Sequence, residues 1–239
     1  MDEAARGHGP GRREGGGRGG EGDTDGVVAG GARLAVGWGG YVIGVSTVQD
    51  ELLRTVTKVA AGLRDAGIRF ALTGGCAAYA RGGPETEHDV DVLVRESDVD
   101  VAVRALVAAG MRAEPPPEDW LDKVYDGDRL VDLLFRPNER PVTDEMLDRA
   151  EVMQVGSVRI PVQSATDVLI GKLLTLGPHR GDVNEPMQVA RALREQVDWS
   201  VVAAETAESP YAEAFLLLAE RLGVMPDIKP VRRLRKESA

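Results

Sequence analysis

Residues 69–95 read RFALTGGCAAYARGGPETEHDVDVLVR, two apolar runs separated by a stretch of small residues. The first run, Phe70-Ala71-Leu72, ends in Thr73-Gly74-Gly75, and the second carries Asp89 and Asp91 one residue apart. Side chains alternate faces along a strand, so Asp89 and Asp91 project together while Val90 and Val92 turn to the core. Two neighbouring carboxylates repel each other. A divalent cation is the usual compensation, and hard oxygen donors of this kind suit Mg²⁺.

Working outward, Leu52, Leu53, Val56, Val59, Ala60 and Leu63 recur at helical spacing and end at Gly67, which predicts an amphipathic helix starting near Thr47. A strand over 68–72, a short helix over 75–81 and a strand over 88–94 follow. Ser97 with Asp100 three residues on is a capping-box pattern, opening a helix that stops at Gly110. A short strand near Met111 precedes Pro115-Pro116-Pro117, a rigid extended linker. The segment 123–135 predicts a hairpin turning at Asp126-Gly127-Asp128, and its second strand sets Asp132 among five apolar residues. A lone acid there is costly without a partner, be it a cation or an Arg or Lys of a neighbouring strand. A helix over 143–150, a hairpin over 152–162, helical stretches over 166–176, 184–196 and 211–222, and a short turn around 199–206 complete the order. The expected fold is α+β: a small mixed sheet with helices on one side over 46–162, then a helical segment over 163–224.

Fifteen of the 29 glycines precede residue 41. Segment 1–45 therefore stands apart, with too little apolar periodicity to offset ordering entropy, and is expected to be disordered. The authentic start is hypothesised to lie near 42–48. The closing residues 225–239 form a basic tail with five Lys and Arg between Lys229 and Lys236. Between them, 46–239 holds 24 basic and 33 acidic residues, so a broad nucleic-acid-binding face is not the default reading. No stretch has the ~20 consecutive apolar residues of a membrane span. A single cysteine, Cys76, excludes an intrachain disulfide and a cysteine-rich zinc site, and fits a reducing cytoplasm. Cys76 reads as a small core residue.

The chemistry-bearing residues converge on phosphate transfer. Adjacent strands lie ~4.8 Å apart, so Asp132 on the neighbour of the Asp89/Asp91 strand could reach the same cation or cation pair. Two cations ~3.5–4 Å apart serve phosphoryl and nucleotidyl transfer. Backbone N–H groups at the Thr73-Gly74-Gly75 turn suit phosphate oxygens. A nucleoside triphosphate with its metal satisfies both halves.

With those residues in view, the sequence resembles the nucleotidyltransferase superfamily with the DNA-polymerase-β-like palm. The resemblance rests on Leu72-Thr73-Gly74-Gly75 and on Asp89-Val90-Asp91, and extends to Val131-Asp132-Leu133 and to the helix around Gly171-Lys172. It is similar to the branch that includes AbiEii-type and MenT-type toxins of toxin–antitoxin and abortive-infection systems, and covers about 47–224. Position 75 departs from the pattern, with Gly where many members have Ser. The resemblance implies a Mg²⁺-dependent enzyme that moves a nucleoside monophosphate from an NTP to an acceptor hydroxyl. Asp89, Asp91 and Asp132 would be metal-binding and catalytic, with Lys172 as a further catalytic and nucleotide-binding residue. Thr73, Gly74, Gly75 and Asp182 would bind nucleotide. By the same resemblance the acceptor is RNA such as a tRNA 3′ end, and a cognate antitoxin is an expected partner. A small-molecule acceptor, as in aminoglycoside nucleotidyltransferases, and a non-catalytic nucleotide-binding protein are the alternatives. His179 and Arg180 are weaker candidates on a loop facing the cleft.

Overall fold

The computed structural model describes residues 48–86 and 89–225. The Gly-rich segment 1–45, the motif residues Glu87 and His88 and the tail beyond Met225 lie outside the described residues. Helix α1 (Val48–Asp65) buries Leu52, Val56, Val59, Ala60 and Leu63, the stripe anticipated from the spacing. Gly67 closes it with a φ of +71°, a conformation that glycine adopts without a Cβ clash. Strand β1 (Phe70–Leu72), helix α2 (Gly74–Ala80) and strand β2 (Val90–Val94) form the motif region.

The Ser97 capping box does not form. A 3₁₀ turn (Glu96–Asp98) leads into α3 (Val99–Ala108), whose N-cap is Asp98, and the Ser97 hydroxyl turns to the Asp98 carboxylate instead. The extra turn shifts the helix start past Ser97, out of reach of the expected amide. Strands β3 (Arg112–Glu114), β4 (Leu121–Asp126) and β5 (Arg129–Leu134) follow, the last two as the expected hairpin with Gly127 at φ +66°. Then come α4 (Asp144–Asp148), the hairpin β6 (Glu151–Val155) and β7 (Val158–Val162), and helices α5 (Ala165–Leu174), α6 (Asn184–Leu193), α7 (Trp199–Glu205) and α8 (Pro210–Arg221).

Seven strands make one mixed sheet in the order β3-β4-β5-β2-β1-β7-β6, parallel only where β1 meets β7 and β2 meets β5. The main core takes Leu72, Val90, Val92, Val131 and Leu133 from one sheet face, and packs them with residues of α1, α2, α3 and α5 to α8. Helices do not keep to that side alone. Ala71 and Leu93 face the other way and pack with Val142 and Leu147, so α4 covers part of the opposite face. Ala71 of β1 and Leu93 of β2 require this, because a strand with apolar side chains on both faces must be covered on both.

The helices after β7 belong to the same apolar cluster as the sheet, with Leu169 and Leu173 of α5 fully buried within it. Leu169→Ala should therefore cost about 2–5 kcal/mol. Denaturant titration followed by circular dichroism is expected to show a lower midpoint and still a single transition.

Candidate active site

Strand register brings the motif residues into one row. Leu72 of β1 pairs with Val92 of β2, and the next amide, Thr73 N, donates to Asp91 O at 2.9 Å. Asp91 in turn lies beside Asp132 of β5, and Asp132 beside Lys123 of β4. The two acids thus sit on adjacent strands, on the face opposite Val90 and Val92, both of which are buried in the core. Asp89 stands just before β2, exposed at its entry.

Burial pushes the Asp91 carboxyl up to about 7, and the neighbouring Asp132 and Asp89 add to the shift while Lys172 opposes it. Asp132 is raised to about 6, again chiefly by burial, with Lys123 opposing. Lys123 sits across from Asp132, yet its ammonium donates to Glu118 at 3.1 Å. Asp132 Oδ1 is buried with no hydrogen-bond partner. Such an orphaned acceptor costs free energy unless something positive meets it.

The Gly-Gly turn closes over these acids. Gly74 has φ +59°, and a methyl group built on it would stand 2.0 Å from Asp91 Oδ2. Only glycine fits there. A methyl on Gly75 would stand 2.6 Å from Thr86 Oγ1, so Thr86 fills the space that a side chain at position 75 would take. The Thr73 hydroxyl is turned away from the turn and donates to Gln163 Oε1. Cys76, 3% exposed, is a core residue whose thiol burial drives up to about 12.

The acids open onto a cleft of about 950 Å³ that is also lined by Thr73, Gly74, Gly75, Lys172 and Asp182. Lys172, on α5, is ion-paired with Glu185 in the first turn of α6. Asp182 Oδ1 accepts from the backbone and side-chain amides of Asn184 at 2.9 and 2.8 Å, which ties down the entry to α6. Arg180 lines the cleft and His179 is not among the lining residues. Sequence reasoning did not single out Glu185, Gln163 or Asn138, and it took Thr86 only as part of the stretch that leads into Asp89. Each meets its partner across 11 to 90 residues of chain, and no local pattern marks them.

Three hard carboxylates, one carrying an orphaned oxygen, match the donor chemistry of a divalent cation. Among the described residues no group of three or more His, Cys, Asp or Glu side chains is gathered closely enough to hold a metal ion. Asp91 and Asp132 supply the adjacent pair, and Asp89 stands at its margin.

A strand ending in Gly-Gly, a short helix and acids on two adjacent strands define a nucleotidyltransferase palm. The chain belongs to the family described as uncharacterised nucleotidyltransferase, which matches residues 38–225, and it is a nucleotidyltransferase. No curated protein matches its sequence. Among solved structures, it is similar to the antibiotic-resistance factor ANT(2'')-Ia at 15% identity and a TM-score of 0.53, over 73% of this chain and 98% of that one. More distant are the lincosamide antibiotic adenylyltransferase LnuA, at 12% identity and a TM-score of 0.42 over 59% and 93% of the two chains, and a tRNA nucleotidyltransferase, at 18% and 0.34 over 70% and 51%. The first likeness shows the fold alone. The other two are too remote to carry an argument.

The raised Asp91 carboxyl has a consequence for stability. It takes up a proton near pH 7 when folded and near 4 when unfolded, so between those values the folded state binds more protons. The stabilising contribution is fully present below about pH 4 and is lost as pH rises through about 7. Without divalent cations the protein should be less stable at pH 8 than at pH 5, and Asp91→Asn should reduce that difference. Denaturation midpoints at the two pH values measure it; an unchanged difference in the variant would remove Asp91 as its source.

Proposed function

We propose that the chain transfers a nucleoside monophosphate from an NTP to an acceptor hydroxyl and releases pyrophosphate. The observation that carries this reading is the half-buried Asp91–Asp132 pair beneath the Gly74 backbone, opening into a cleft that also contains Lys172. Asp89, Asp91 and Asp132 would hold Mg²⁺, which when bound would neutralise the charge developing on the phosphoryl oxygens. Asp132, whose proton affinity burial raises, would accept the proton of the attacking hydroxyl. Gly74 and Gly75 offer backbone N–H groups to phosphate, and with Gly at 75 no side-chain hydroxyl shares that task. Lys172 pairs with the triphosphate as a point charge, exchanging Glu185 for phosphate oxygens. Asp182 supports this end of the cleft through the α6 entry rather than through a free carboxylate. The Thr73 hydroxyl holds Gln163, so Thr73 contributes to nucleotide binding through its place in the turn.

The toxin-like resemblance supports an RNA 3′ end as the acceptor, with growth inhibition as the outcome, a cognate antitoxin as partner and the cytoplasm as its place. No helix among the described residues is long and apolar enough to cross a membrane. A small-molecule acceptor is the second reading, and a specific observation favours it. Nine acidic and five basic residues line the cleft. Four of those five bases are already ion-paired, Arg136 with Asp119, Arg140 with Glu205, Arg149 with Asp167 and Lys172 with Glu185. With Lys172 given to the triphosphate, a polyanionic acceptor gains little from arginines that are already paired with acids.

Incubation with labelled NTPs, Mg²⁺ and total cellular RNA should put label on RNA of tRNA size, and Asp89→Asn or Asp91→Asn should abolish it. Label found only on an added aminoglycoside would move the acceptor to the second reading. Lys172→Met keeps the apolar stem and removes the charge. It should weaken NTP binding roughly 10- to 100-fold, the loss of one charge-assisted contact. Calorimetric titration checks this, and an affinity equal to that of the unchanged protein removes Lys172 from the site.

A further inference from the structure

One segment of the cleft wall is strained and has no part in the chemistry above. After β5 the chain turns through Pro137-Asn138-Glu139, and Asn138 (φ 53°, ψ 40°) and Glu139 (φ 63°) are the two non-glycine residues with positive φ among the described residues. Asparagine adopts this left-handed conformation more readily than other L residues, whereas Glu139 there costs energy and persists only where the surroundings enforce it. Here three contacts do so. Arg136 Nη2 donates to the Asp119 carboxylate at 2.9 Å, Arg140 grips the carboxylate and carbonyl of Glu205 at 2.9 and 3.0 Å, and Asn138 Nδ2 donates to Gly171 O at 3.3 Å.

Gly171 is the second anomaly. It sits inside α5, where glycine is the poorest helix former after proline. Packing does not demand it, because a methyl built there meets no atom within 4 Å. A helix that gives up a side chain without gaining a close contact within the protein leaves a bare patch open to the cleft. Gly171 lines that cleft, and so do its neighbours Val168, Ile170 and Leu174. The next residue is Lys172, the proposed triphosphate contact.

Together these make a floor of bare backbone and apolar side chains with one amide at its rim. Asn138 spends one N–H on Gly171 and keeps a second N–H and its carbonyl oxygen, a donor and an acceptor side by side. A planar heterocycle with a complementary donor–acceptor edge fits such a rim, and its face fits the bare floor. We infer that Gly171 and Asn138 form the nucleobase subsite: the base of the NTP lies on the Gly171 patch, its edge hydrogen-bonded by the Asn138 amide. Asn138 is then a specificity-determining residue, and the strained turn is what holds its amide at the rim.

The inference rests on the NTP reading, and the test separates the two. Binding of the four NTPs, as non-hydrolysable analogues, and of inorganic tripolyphosphate is measured by calorimetry with Mg²⁺. Asn138→Gly accommodates the positive φ and removes the side chain with its amide, including the hydrogen bond to Gly171 O, while the Arg136 and Arg140 pairs still hold the turn. It should weaken the preferred NTP about tenfold, the loss of its hydrogen bonds, and level the preference among bases, with tripolyphosphate binding unchanged. Gly171→Leu places a good helix former in the open space. It should raise the Tm and reduce NTP affinity to that of tripolyphosphate. Unchanged NTP affinity and base preference in both variants would overturn the subsite. So would a rise in acceptor KM with NTP binding intact, which would give the patch to the acceptor. If the unchanged protein binds neither NTP nor tripolyphosphate, the NTP reading fails and takes the subsite with it.

Discussion

Two carboxylates share a strand boundary in this protein, and much of the architecture follows from keeping them there. Asp91 and Asp132 lie side by side on parallel neighbours β2 and β5, in an environment that raises the proton affinity of both. Such a pair destabilises the fold unless it is protonated or met by positive charge. The surrounding sheet tolerates the strain because the alternate residues, Val90, Val92, Val131 and Leu133, are buried to the limit on the other face. Slipping the register by one residue would relieve the acids and expose that apolar set. The hydrophobic face therefore pins the carboxylates in place.

The Gly-Gly turn is bound to the same constraint. Gly74 must approach Asp91 more closely than any Cβ allows, and its positive φ turns the chain from β1 into α2. Gly75 is excluded from carrying a side chain by Thr86, on the segment that leads to Asp89. The turn and the acid strand are thus fitted to each other through backbone and one hydroxyl. Arg81 extends the arrangement, donating to Gln163 O and Val162 O at the end of β7, while Gln163 also receives the Thr73 hydroxyl.

Around the acids, the cleft is a surface of committed charges. Three of its arginines are tied to acids: Arg136 to Asp119 at the entry of β4, Arg140 to Glu205 of α7 and Arg149 to Asp167 of α5. Each exposed pair contributes modestly on its own, about 0–1 kcal/mol. Their joint effect is geometric, since they tie the loop after β5 to the entry of β4 and to the end of α7.

The sequence alone determined the order of elements and the core-facing side of the strand that carries Asp91, and it drew attention to the three acids, because period-2 and helical spacings are local properties of the chain. It also located the Gly-Gly turn and placed Lys172 on a helix. The capping box at Ser97 and the confinement of helices to one side were misread, the first because a 3₁₀ turn displaced the helix start, the second because Ala71 of β1 and Leu93 of β2 put apolar surface on the face away from the main core. What only the tertiary structure decided is which distant residues stand against the site. Glu185 meets Lys172, Thr86 fills the space at Gly75, Gln163 takes the Thr73 hydroxyl and Asn138 reaches Gly171. These contacts are set by register, crossover and helix packing, in which the chain folds back on itself, and a one-dimensional pattern holds no record of where two such segments will touch.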